Sequence, residues 1–458
     1  MGIVRFAPSP TNCNEDVNNR GLHVGGLRTA LYNYVFAKQN GHHLICRIED
    51  TDEARSNNDC LKCIVRDFEW AGIKFDAGYR LNELDELEEF NNTNRDLGPL
   101  RQSQRLGIYH KYIAQLIDDG WAYEKEGAVY FKMLKKEVVC RDRVAGRLKL
   151  PRKDCEDFVI LKSSGMPSFY FAMTVDDHEM GVDFIIRGAE HINTLFRQSV
   201  LQDALDFNKP ETAHIPLIMN PDGTKMSKRQ ASGQVNVYDF WKDGYLSEAL
   251  INYIALLGWS TSDGREIFDI DFMIKDFNID YMGRSNARFD DQKLKSMNKK
   301  AITAMPKDKL VDKFTEYSTV FHEDIIANLQ ADDQVEPLCE MAQDRAATLV
   351  DIVNQADYVL NAPKLANDTL TNDEVSILNM LYDVMHDCEW YPENIVEQIR
   401  LYSNVHDIDF GNIIRIVRLA ITGKTITPPI DRVFDVLGKD TVLSRIMTVA
   451  DKQFVSAF

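Results

Sequence analysis

Two short segments of the sequence contain residues suited to phosphate chemistry. Residues 22–26 (LHVGG) combine a histidine with two glycines, which let a ligand approach the backbone closely. If a helix begins there, its N–H groups favour an anion, and His23 can donate a hydrogen bond to charge that develops on a phosphate. Residues 225–229 (KMSKR) follow a Pro-Asp-Gly turn, and their cations suit a triphosphate that loses pyrophosphate. Taken singly, each segment also fits an ordinary turn or a solvated basic loop.

The elements around the first segment predict a parallel sheet. Residues 3–7 (IVRFA) are typical of a strand, which Pro8 and Pro10 end because proline has a fixed φ. Apolar residues from Leu27 onward recur every three or four positions, as on one face of an amphipathic helix, and residues 44–48 (LICRI) form a second strand. A strand, a helix and a strand in this order indicate a βαβ unit with parallel pairing.

A second α/β stretch begins after residue 156. Residues 158–161 and 184–187 are predicted strands, and a helical pattern follows from Ile192. Residues 215–218 (IPLI) predict a third strand, which its proline places at a sheet edge. Residues 82–96 are rich in Glu, Asp and Asn and are expected to form a solvated loop. The interruption between the two stretches predicts a domain inserted into the sheet.

Beyond Tyr238 the strand patterns stop and helical periodicity dominates. The predicted fold class is therefore α/β with a helical domain appended. Its core covers residues 1–240 and is interrupted by an insertion at about 82–156. A linking region is predicted at 241–307, and an all-helical domain at 308–458.

Composition excludes several classes of protein. The 458 residues include 53 Lys and Arg against 71 Asp and Glu, a net charge of −18 that argues against a nucleic-acid partner unless basic residues are clustered. No run approaches the ~18 apolar residues of a membrane span, so no membrane partner is expected. The N-terminus lacks a secretory signal, and the 8 cysteines are scattered, as in reduced cytoplasmic proteins. A cytoplasmic location is predicted, or an organellar one if a presequence has been removed.

Together the two segments resemble the signature of class I aminoacyl-tRNA synthetases, and further motifs narrow the resemblance to glutamyl-tRNA synthetases of bacterial and organellar type. The resemblance is dense over residues 1–300 and sparser beyond them. It implies a Rossmann-like catalytic domain, an acceptor-binding insertion, a stem-contact linking region and a helical anticodon-binding domain. The motifs that carry it are residues 5–11 (RFAPSPT), 22–31 (LHVGGLRTAL), 47–52 (RIEDTD), 98–103 (GPLRQS), 157–162 (DFVILK), 175–178 (VDDH), 186–188 (IRG) and 225–229.

The resemblance implies ATP-dependent ligation of L-glutamate to the 3′ end of tRNA(Glu) through a glutamyl-adenylate, by a monomer. It implies Mg²⁺ on the ATP phosphates, and tRNA(Gln) as a second substrate if the enzyme does not discriminate. The expected catalytic residues are His23, Lys225 and Lys228. Positions that match ATP contacts are His23, Gly25, Gly26, Glu190, Lys225, Ser227, Lys228 and Arg229; those that match glutamate contacts are Arg5, Ala7, Ser9, Glu49, Phe169 and Arg187.

The sequence departs from the family pattern at three places. An acidic, Asn-rich insert at residues 12–20 precedes the catalytic histidine, and Ala189 replaces an acidic residue. Phe169 stands where the family has a substrate-facing tyrosine, and Tyr170 would point to the other face of a strand. Because of these departures, one alternative is that the chain is a catalytically silent tRNA-binding paralogue. A relative that glutamylates a tRNA base is the other alternative, against which the helical domain counts.

Local charge predicts where tRNA binds. Residues 135–153 carry eight basic residues against two acidic ones, and residues 284–313 carry nine against four. The first run lies in the expected acceptor-binding insertion, which makes Arg141, Arg143, Arg147 and Lys149 candidate tRNA contacts. Zinc is not expected, because the family's cysteine cluster is missing and the cysteine pair at 60–63 has no second pair beside it.

Overall fold

A computed structural model describes residues 1–11, 21–52, 54–226, 235–366 and 369–455, with side chains to residue 450. The predicted insert 12–20 and the predicted site residues Ser227, Lys228 and Arg229 lie outside the described residues. The chain divides into two compact units, Met1–Trp241 with Ser247–Leu294, and Lys242–Leu246 with Lys295–Phe458. Their boundary falls inside the predicted linking region 241–307.

The first unit alternates strands and helices. Its elements are β1 (Ile3–Phe6), α1 (Val24–Asn40), β2 (His43–Cys46), α2 (Asn58–Trp70), β3 (Ala77–Leu81), β4 (Leu87–Asn91), α3 (Leu106–Asp118), β5 (Ala122–Lys125), β6 (Ala128–Phe131), β7 (Val138–Asp142), β8 (Gly146–Leu150), β9 (Phe158–Leu161), α4 (Phe169–Glu179), β10 (Val182–Gly188), α5 (Ile192–Leu205), β11 (Glu211–Ile215), β12 (Ile218–Met219), α6 (Val237–Lys242), α7 (Ser247–Ala255), α8 (Ile270–Asp276) and β13 (Ala287–Arg288).

The second unit is helical in its described residues, which confirms the predicted helical C-terminal region. The helix α9 (Asp291–Ala304) begins at the boundary between the units. No helix in the described ranges is long and apolar enough to cross a bilayer. The helices that follow α9 are α10 (Lys307–Phe321), α11 (Glu323–Ala331), α12 (Val335–Ala342), α13 (Leu349–Leu360), α14 (Asn372–Asp387), α15 (Pro392–His406), α16 (Phe410–Thr422) and α17 (Ile430–Val455).

The main sheet is mostly parallel, as the βαβ pattern predicts. Within the described residues it contains six strands in the order β11-β10-β1-β2-β3-β4. The pairs β1–β2, β1–β10, β10–β11 and β2–β3 are parallel. All four residues of β1 are buried, as expected of a strand in a parallel sheet that is covered on both faces. Parallel pairing also brings the carboxyl ends of β1 and β10 to the same edge.

The expectation of a loop at residues 82–96 is wrong. This segment contains β4, which pairs antiparallel with β3 and extends the main sheet, although it falls inside the predicted insertion 82–156. Its acidic residues are accommodated at the sheet edge, where Arg80 Nε donates to Glu88 Oε2 at 3.0 Å. The composition of this segment predicts a loop because an exposed edge strand, like a loop, carries many charged residues and few apolar ones.

The predicted strand at residues 215–218 is wrong in its bounds. Strand β11 ends at Ile215, and the chain continues after Pro216 into the short β12. The edge position is nevertheless correct, since β11 is the outermost strand beside β10.

The segment between the two halves of the main sheet forms separate small sheets. Strands β5, β6 and β9 pair antiparallel, and β7 and β8 form a hairpin. That hairpin packs against α5 and β11 of the α/β core. The packing places its loop directly beside the edge of the main sheet.

Helix α1 is tied to the end of α7 by buried polar groups. The Arg28 side chain is buried and donates to the backbone carbonyls of Leu257 and Pro216. The Tyr32 hydroxyl donates to the carbonyl of Ala255 at 3.0 Å. Burial raises the pKa of Tyr32 to about 12, so that the hydroxyl remains a donor at neutral pH.

We predict that Arg28→Ala destabilises the chain by about 2–4 kcal/mol, because it leaves two buried carbonyl groups without a donor. The thermal unfolding midpoint of the purified protein measures the effect. Lys38→Ala, at an exposed position of the same helix, is the control and should cost less than about 0.5 kcal/mol. Equal midpoints for the two variants would show that the Arg28 contacts carry no stability.

Candidate active site

A cavity of about 200 Å³ opens at the carboxyl ends of β1 and β10. Arg5 of β1, Arg187 of β10 and Glu49, which follows β2, line it. Ligands of open α/β sheets bind at this edge, where strands leave the sheet in different directions. Further predicted site residues that line the same cavity are Ala7, Gly25, Gly26, Phe169 and Glu190.

Ser9 and His23 do not line the cavity, but each is hydrogen-bonded to the backbone of a residue that does. The Ser9 hydroxyl donates to the backbone carbonyl of Glu49 at 2.8 Å, which links the end of β1 to the end of β2. His23 is the N-cap of α1, and its Nδ1 accepts a hydrogen bond from the backbone N–H of Gly25 at 2.9 Å. A neutral imidazole that accepts at Nδ1 carries its proton on Nε2. A Cβ at Gly26 would meet Leu22 Cδ1 at 2.9 Å, so a larger residue there would require the Leu22 side chain to shift.

Below the cavity, buried carboxylates hold two arginines. Asp177 Oδ1 accepts from Arg5 Nε at 3.0 Å and from Arg47 Nη1 at 2.8 Å. Burial favours the neutral acid, but the charges of Arg5 and Arg47 outweigh it and lower the pKa of Asp177. Arg47 is 0% exposed and also donates to Glu49 Oε1 at 3.4 Å. A neighbouring carboxylate, Asp176, accepts from Arg105 Nε at 2.7 Å.

Glu49 is the acidic group of the cavity wall. Burial raises its pKa, and the positive charges of Arg47 and Arg5 offset part of that rise. The carboxylate therefore has cations on its protein side and the cavity on the other. An ammonium group in the cavity would stabilise its ionised form.

Arg187 differs from Arg5 in that none of its described hydrogen bonds goes to a carboxylate. Nε donates to His214 Nε2 at 2.9 Å, and Nη2 donates to Gln198 Oε1 at 2.7 Å. Burial, and then repulsion from Arg5, lower the pKa of Arg187 to about 9. The guanidinium is still charged at neutral pH, so the cavity contains a buried cation that an anionic ligand would stabilise.

The expectation that Phe169 and Tyr170 lie on a strand is wrong, because α4 begins at Phe169. One helical turn later Met173 also lines the cavity, with its sulfur 3.4 Å from Arg187 Nη1. Tyr170 instead packs under Arg197, whose Cζ lies 4.3 Å from the ring centre. The sequence does not indicate Met173 as a cavity residue. Residues four apart, such as Phe169 and Met173, share a face only in a helix, and this segment was expected to be a strand.

His191 and Thr29 are two further cavity residues that the sequence did not single out. His191 follows Glu190 in a short 3-10 turn between β10 and α5. Burial and the charge of Arg187 lower the pKa of His191 to about 4, so its ring is neutral at pH 7. Thr29 lies on α1, where its hydroxyl donates to the backbone carbonyl of Gly25 at 2.9 Å.

The basic loop begins as the sequence indicates. Residues 220–224 form a turn in which the Asn220 carbonyl accepts from the Gly223 N–H at 2.9 Å, and Gly223 has a φ of 86°. The positive φ accounts for glycine at this position. Lys225 is exposed directly after the turn and forms a β-bridge with Met219.

The four candidate tRNA contacts lie on the hairpin β7–β8 and in its loop. Arg141 and Arg147 are paired across the hairpin and are exposed. Arg143 donates to Glu211 and Asp280, both at 2.7 Å, so its charge is already balanced. Lys149 donates to Glu137 at 3.1 Å.

No group of three or more His, Cys, Asp or Glu side chains in the described part of the chain is arranged to hold a metal ion. Of the described cysteines, six have free thiols and Cys60 is disulfide-bonded.

Comparisons with known proteins identify the family of the chain. Residues 3–129 and 124–296 match the family described as tRNA synthetases class I (E and Q), catalytic domain, and residues 309–450 match the anticodon binding domain. The glutamate–tRNA ligase of Thermodesulfovibrio yellowstonii is 32% identical over 497 aligned positions, which cover 98% of this chain and 100% of that protein. That of Methylacidiphilum infernorum is 34% identical over 97% of each chain. A crystal structure of a glutamate tRNA ligase from Elizabethkingia meningosepticum, in complex with its amino acid, covers 98% of this chain and 99% of its own, with a TM-score of 0.80 at 26% identity.

We predict that Asp177→Asn lowers stability by about 3–5 kcal/mol, because it leaves Arg5 and Arg47 as buried cations without their shared carboxylate. A lowered pKa means that this stabilisation is present above the unfolded-state pKa of about 3.9 and is lost only as the pH falls through the lower folded value. The loss of thermal stability should therefore be the same at pH 8 and pH 5.

Asp85→Asn is the matched control for this variant. Asp85 is about half exposed, pairs with Arg66 at 2.6 Å, and has a φ of 59° that Asn also adopts. Its substitution should cost less than about 1 kcal/mol. If the loss of thermal stability in Asp177→Asn were smaller at pH 5 than at pH 8, Asp177 would already be taking up a proton in that range.

Proposed function

Because the chain belongs to the class I tRNA synthetases for glutamate and glutamine, we propose that it is a glutamate–tRNA ligase. It uses ATP to join L-glutamate to the 3′ end of tRNA(Glu) through a glutamyl-adenylate. The observation that carries this substrate assignment is the buried guanidinium of Arg187, which faces the cavity without a carboxylate among its described hydrogen-bond partners.

The cavity suits the three charged groups of glutamate. Arg187 and Arg5 offer positive charge to the side-chain carboxylate, and a guanidinium can form two parallel hydrogen bonds to such a group. Glu49 accepts from the α-ammonium group. Its own pKa falls when that ammonium is bound, because opposite charges stabilise each other.

In the first step the glutamate α-carboxylate attacks the α-phosphorus of ATP. A new oxygen–phosphorus bond forms, and the bond to the leaving pyrophosphate breaks. His23 donates from Nε2 to a phosphate oxygen, while Lys225 and Lys228 balance the charge that moves onto pyrophosphate. The backbone N–H groups at the start of α1, beside Gly25 and Gly26, add a positive dipole.

In the second step a hydroxyl of the terminal ribose of tRNA attacks the glutamyl carbonyl carbon, and AMP leaves. No enzyme group becomes covalently attached, so the contributions of the protein are positioning and electrostatic stabilisation. Mg²⁺ enters as the counterion of the ATP phosphates. The acceptor end of tRNA is expected against Arg141 and Arg147, and the anticodon against the helical unit.

One chain suffices for this chemistry, since the residues assigned to glutamate and ATP belong to one catalytic unit. We therefore expect an active monomer. Its location in the cytoplasm or an organelle stays a prediction from the sequence.

We predict that the purified chain, with ATP, Mg²⁺ and tRNA(Glu), attaches radiolabelled glutamate to the 3′ end of the tRNA. Glutamine and aspartate should be rejected, because glutamine lacks the negative charge that Arg187 requires and aspartate is one methylene too short. Acid-precipitable label after incubation measures the reaction. Periodate oxidation of the 3′-terminal ribose is the control, because it converts both acceptor hydroxyls into aldehydes.

Failure to charge tRNA(Glu) would favour the silent paralogue. Label that nuclease digestion releases on an internal nucleotide rather than on the 3′-terminal adenosine would indicate glutamylation of a base instead. Charging of tRNA(Gln) in the same assay would identify a non-discriminating enzyme.

We predict that Arg187→Gln raises the KM for glutamate at least about 30-fold, which corresponds to about 2 kcal/mol for a buried charged contact. The KM for ATP should change by less than about 3-fold, because the ATP phosphates are assigned to other residues. Arg197→Gln is the matched control, since that guanidinium packs on the rings of Tyr170 and Phe158. Equal effects on the two KM values would contradict a glutamate-specific role.

A further inference from the structure

Arg187 is a buried cation whose described hydrogen bonds all go to neutral groups. Besides the Met173 sulfur, its described acceptors are His214 on β11 and Gln198 on α5, which are buried and are not part of the cavity lining. The bond from Arg187 Nε to His214 Nε2 is 2.9 Å long. An imidazole can accept from an N–H group at only one nitrogen and only when it is neutral.

The tautomer of His214 is set by a carboxylate from the β7–β8 hairpin. With Nε2 accepting, the proton must lie on Nδ1, which donates to Asp142 Oδ2 at 2.6 Å. Asp142, His214 and Arg187 are 7%, 1% and 5% exposed, so water does not compete for these bonds. The three residues form a chain from the hairpin through the sheet edge to the cavity.

Asp142 is itself held from several directions. Its Oδ2 accepts from the Thr212 hydroxyl at 2.8 Å, and its Oδ1 accepts from the backbone N–H groups of Val144 and Ala145 at 3.0 and 2.8 Å. Burial would raise the pKa of Asp142, but the bonds from His214 and from the backbone outweigh burial and hold it at about 2. The carboxylate is thus a permanent anion that fixes the ring.

We propose that Asp142 and His214 are positioning residues for glutamate binding: they hold Arg187 through Nε so that its terminal N–H groups meet the side-chain carboxylate of the substrate. This inference rests on the proposed function. A guanidinium is planar, so fixing Nε and one terminal nitrogen fixes the direction of the remaining donors. A free side chain would lose this orientation, and binding would weaken.

The arrangement makes glutamate binding dependent on pH. A protonated His214 has two donors and no acceptor, so it repels the N–H group of Arg187 instead of receiving it. The charged and titratable groups that face His214 are Asp142 on the hairpin, Arg187 on β10 and His191 before α5. Burial lowers the pKa of His214, and the charge of Arg187 adds to this, against the opposing effect of Asp142. The ring is therefore neutral at pH 7 to 8, where it can accept from Arg187, and its protonation at lower pH would raise the KM for glutamate.

Three substitutions in the full-length protein test the proposal, with aminoacylation of tRNA(Glu) measured at saturating ATP and tRNA. His214→Leu removes the acceptor and should raise the glutamate KM on the order of 10- to 100-fold at every pH. His214→Gln offers an amide oxygen as acceptor and does not titrate. It should keep the KM within about 5-fold of wild type at pH 8. Asp142→Asn should raise the KM, because an amide that donates no longer fixes the tautomer.

Thr212→Val is the control variant, which tests whether weaker attachment of the hairpin alone changes glutamate binding. It removes one bond to Asp142 but leaves the bond from His214, so the glutamate KM should stay within about 3-fold of wild type. The KM for tRNA and the unfolding midpoint are measured in parallel. A purely structural role for Asp142 and His214 would change these two quantities and leave the glutamate KM unchanged.

The outcomes separate the inference from the function on which it rests. Absence of charging by the wild type overturns the proposed function. With an active wild type, a glutamate KM that neither His214→Leu nor Asp142→Asn changes overturns the positioning role. If His214→Leu does not fold, the glutamate KM values of Asp142→Asn and His214→Gln still decide, because the first is expected to rise and the second to stay near that of the wild type.

Discussion

A positive charge that cannot reach water is the constraint around which the catalytic unit is built. Arg187 and Arg5 are buried near one another, and a buried cation persists only where opposite charge or good acceptors surround it. Asp177 meets this need for Arg5, whereas Arg187 is held by the uncharged His214 and Gln198. The positive charge left over faces the cavity, which favours an anionic ligand.

The sheet makes this concentration of charge possible. Parallel pairing of β1 with β10 brings two arginines to one edge although they are far apart in the chain. The start of α1 adds a second source of positive potential at the same edge, with His23 as its cap. The inserted hairpin then supplies the carboxylate of Asp142 from a third direction. The groups proposed to bind the amino acid, the phosphates and the acceptor end are thus neighbouring parts of the catalytic unit.

The sequence predicted the elements whose residues follow a regular period and failed where local chemistry is ambiguous. The βαβ start of the chain and the helical C-terminal region were predicted correctly, since their apolar spacing is unambiguous. Strand β4 was missed because its charged residues suit a loop equally well. The start of α4 was predicted to be a strand because the aromatic residues at 168–171 (SFYF) also favour strands. For that reason Met173 was not predicted to share a face with Phe169.

By itself, the sequence determined the family and the types of group at the site, because short motifs such as residues 22–26 and 225–229 combine chemistry with local geometry. Even the net charge of −18 was compatible with a tRNA partner once local basic runs were considered. Only the tertiary structure decided which groups surround Arg187. Asp142 and His214 are separated by 72 residues, and Arg187 and His214 by 27. Such contacts depend on sheet order and on the packing of an inserted hairpin, and neither leaves a periodic signal in the chain.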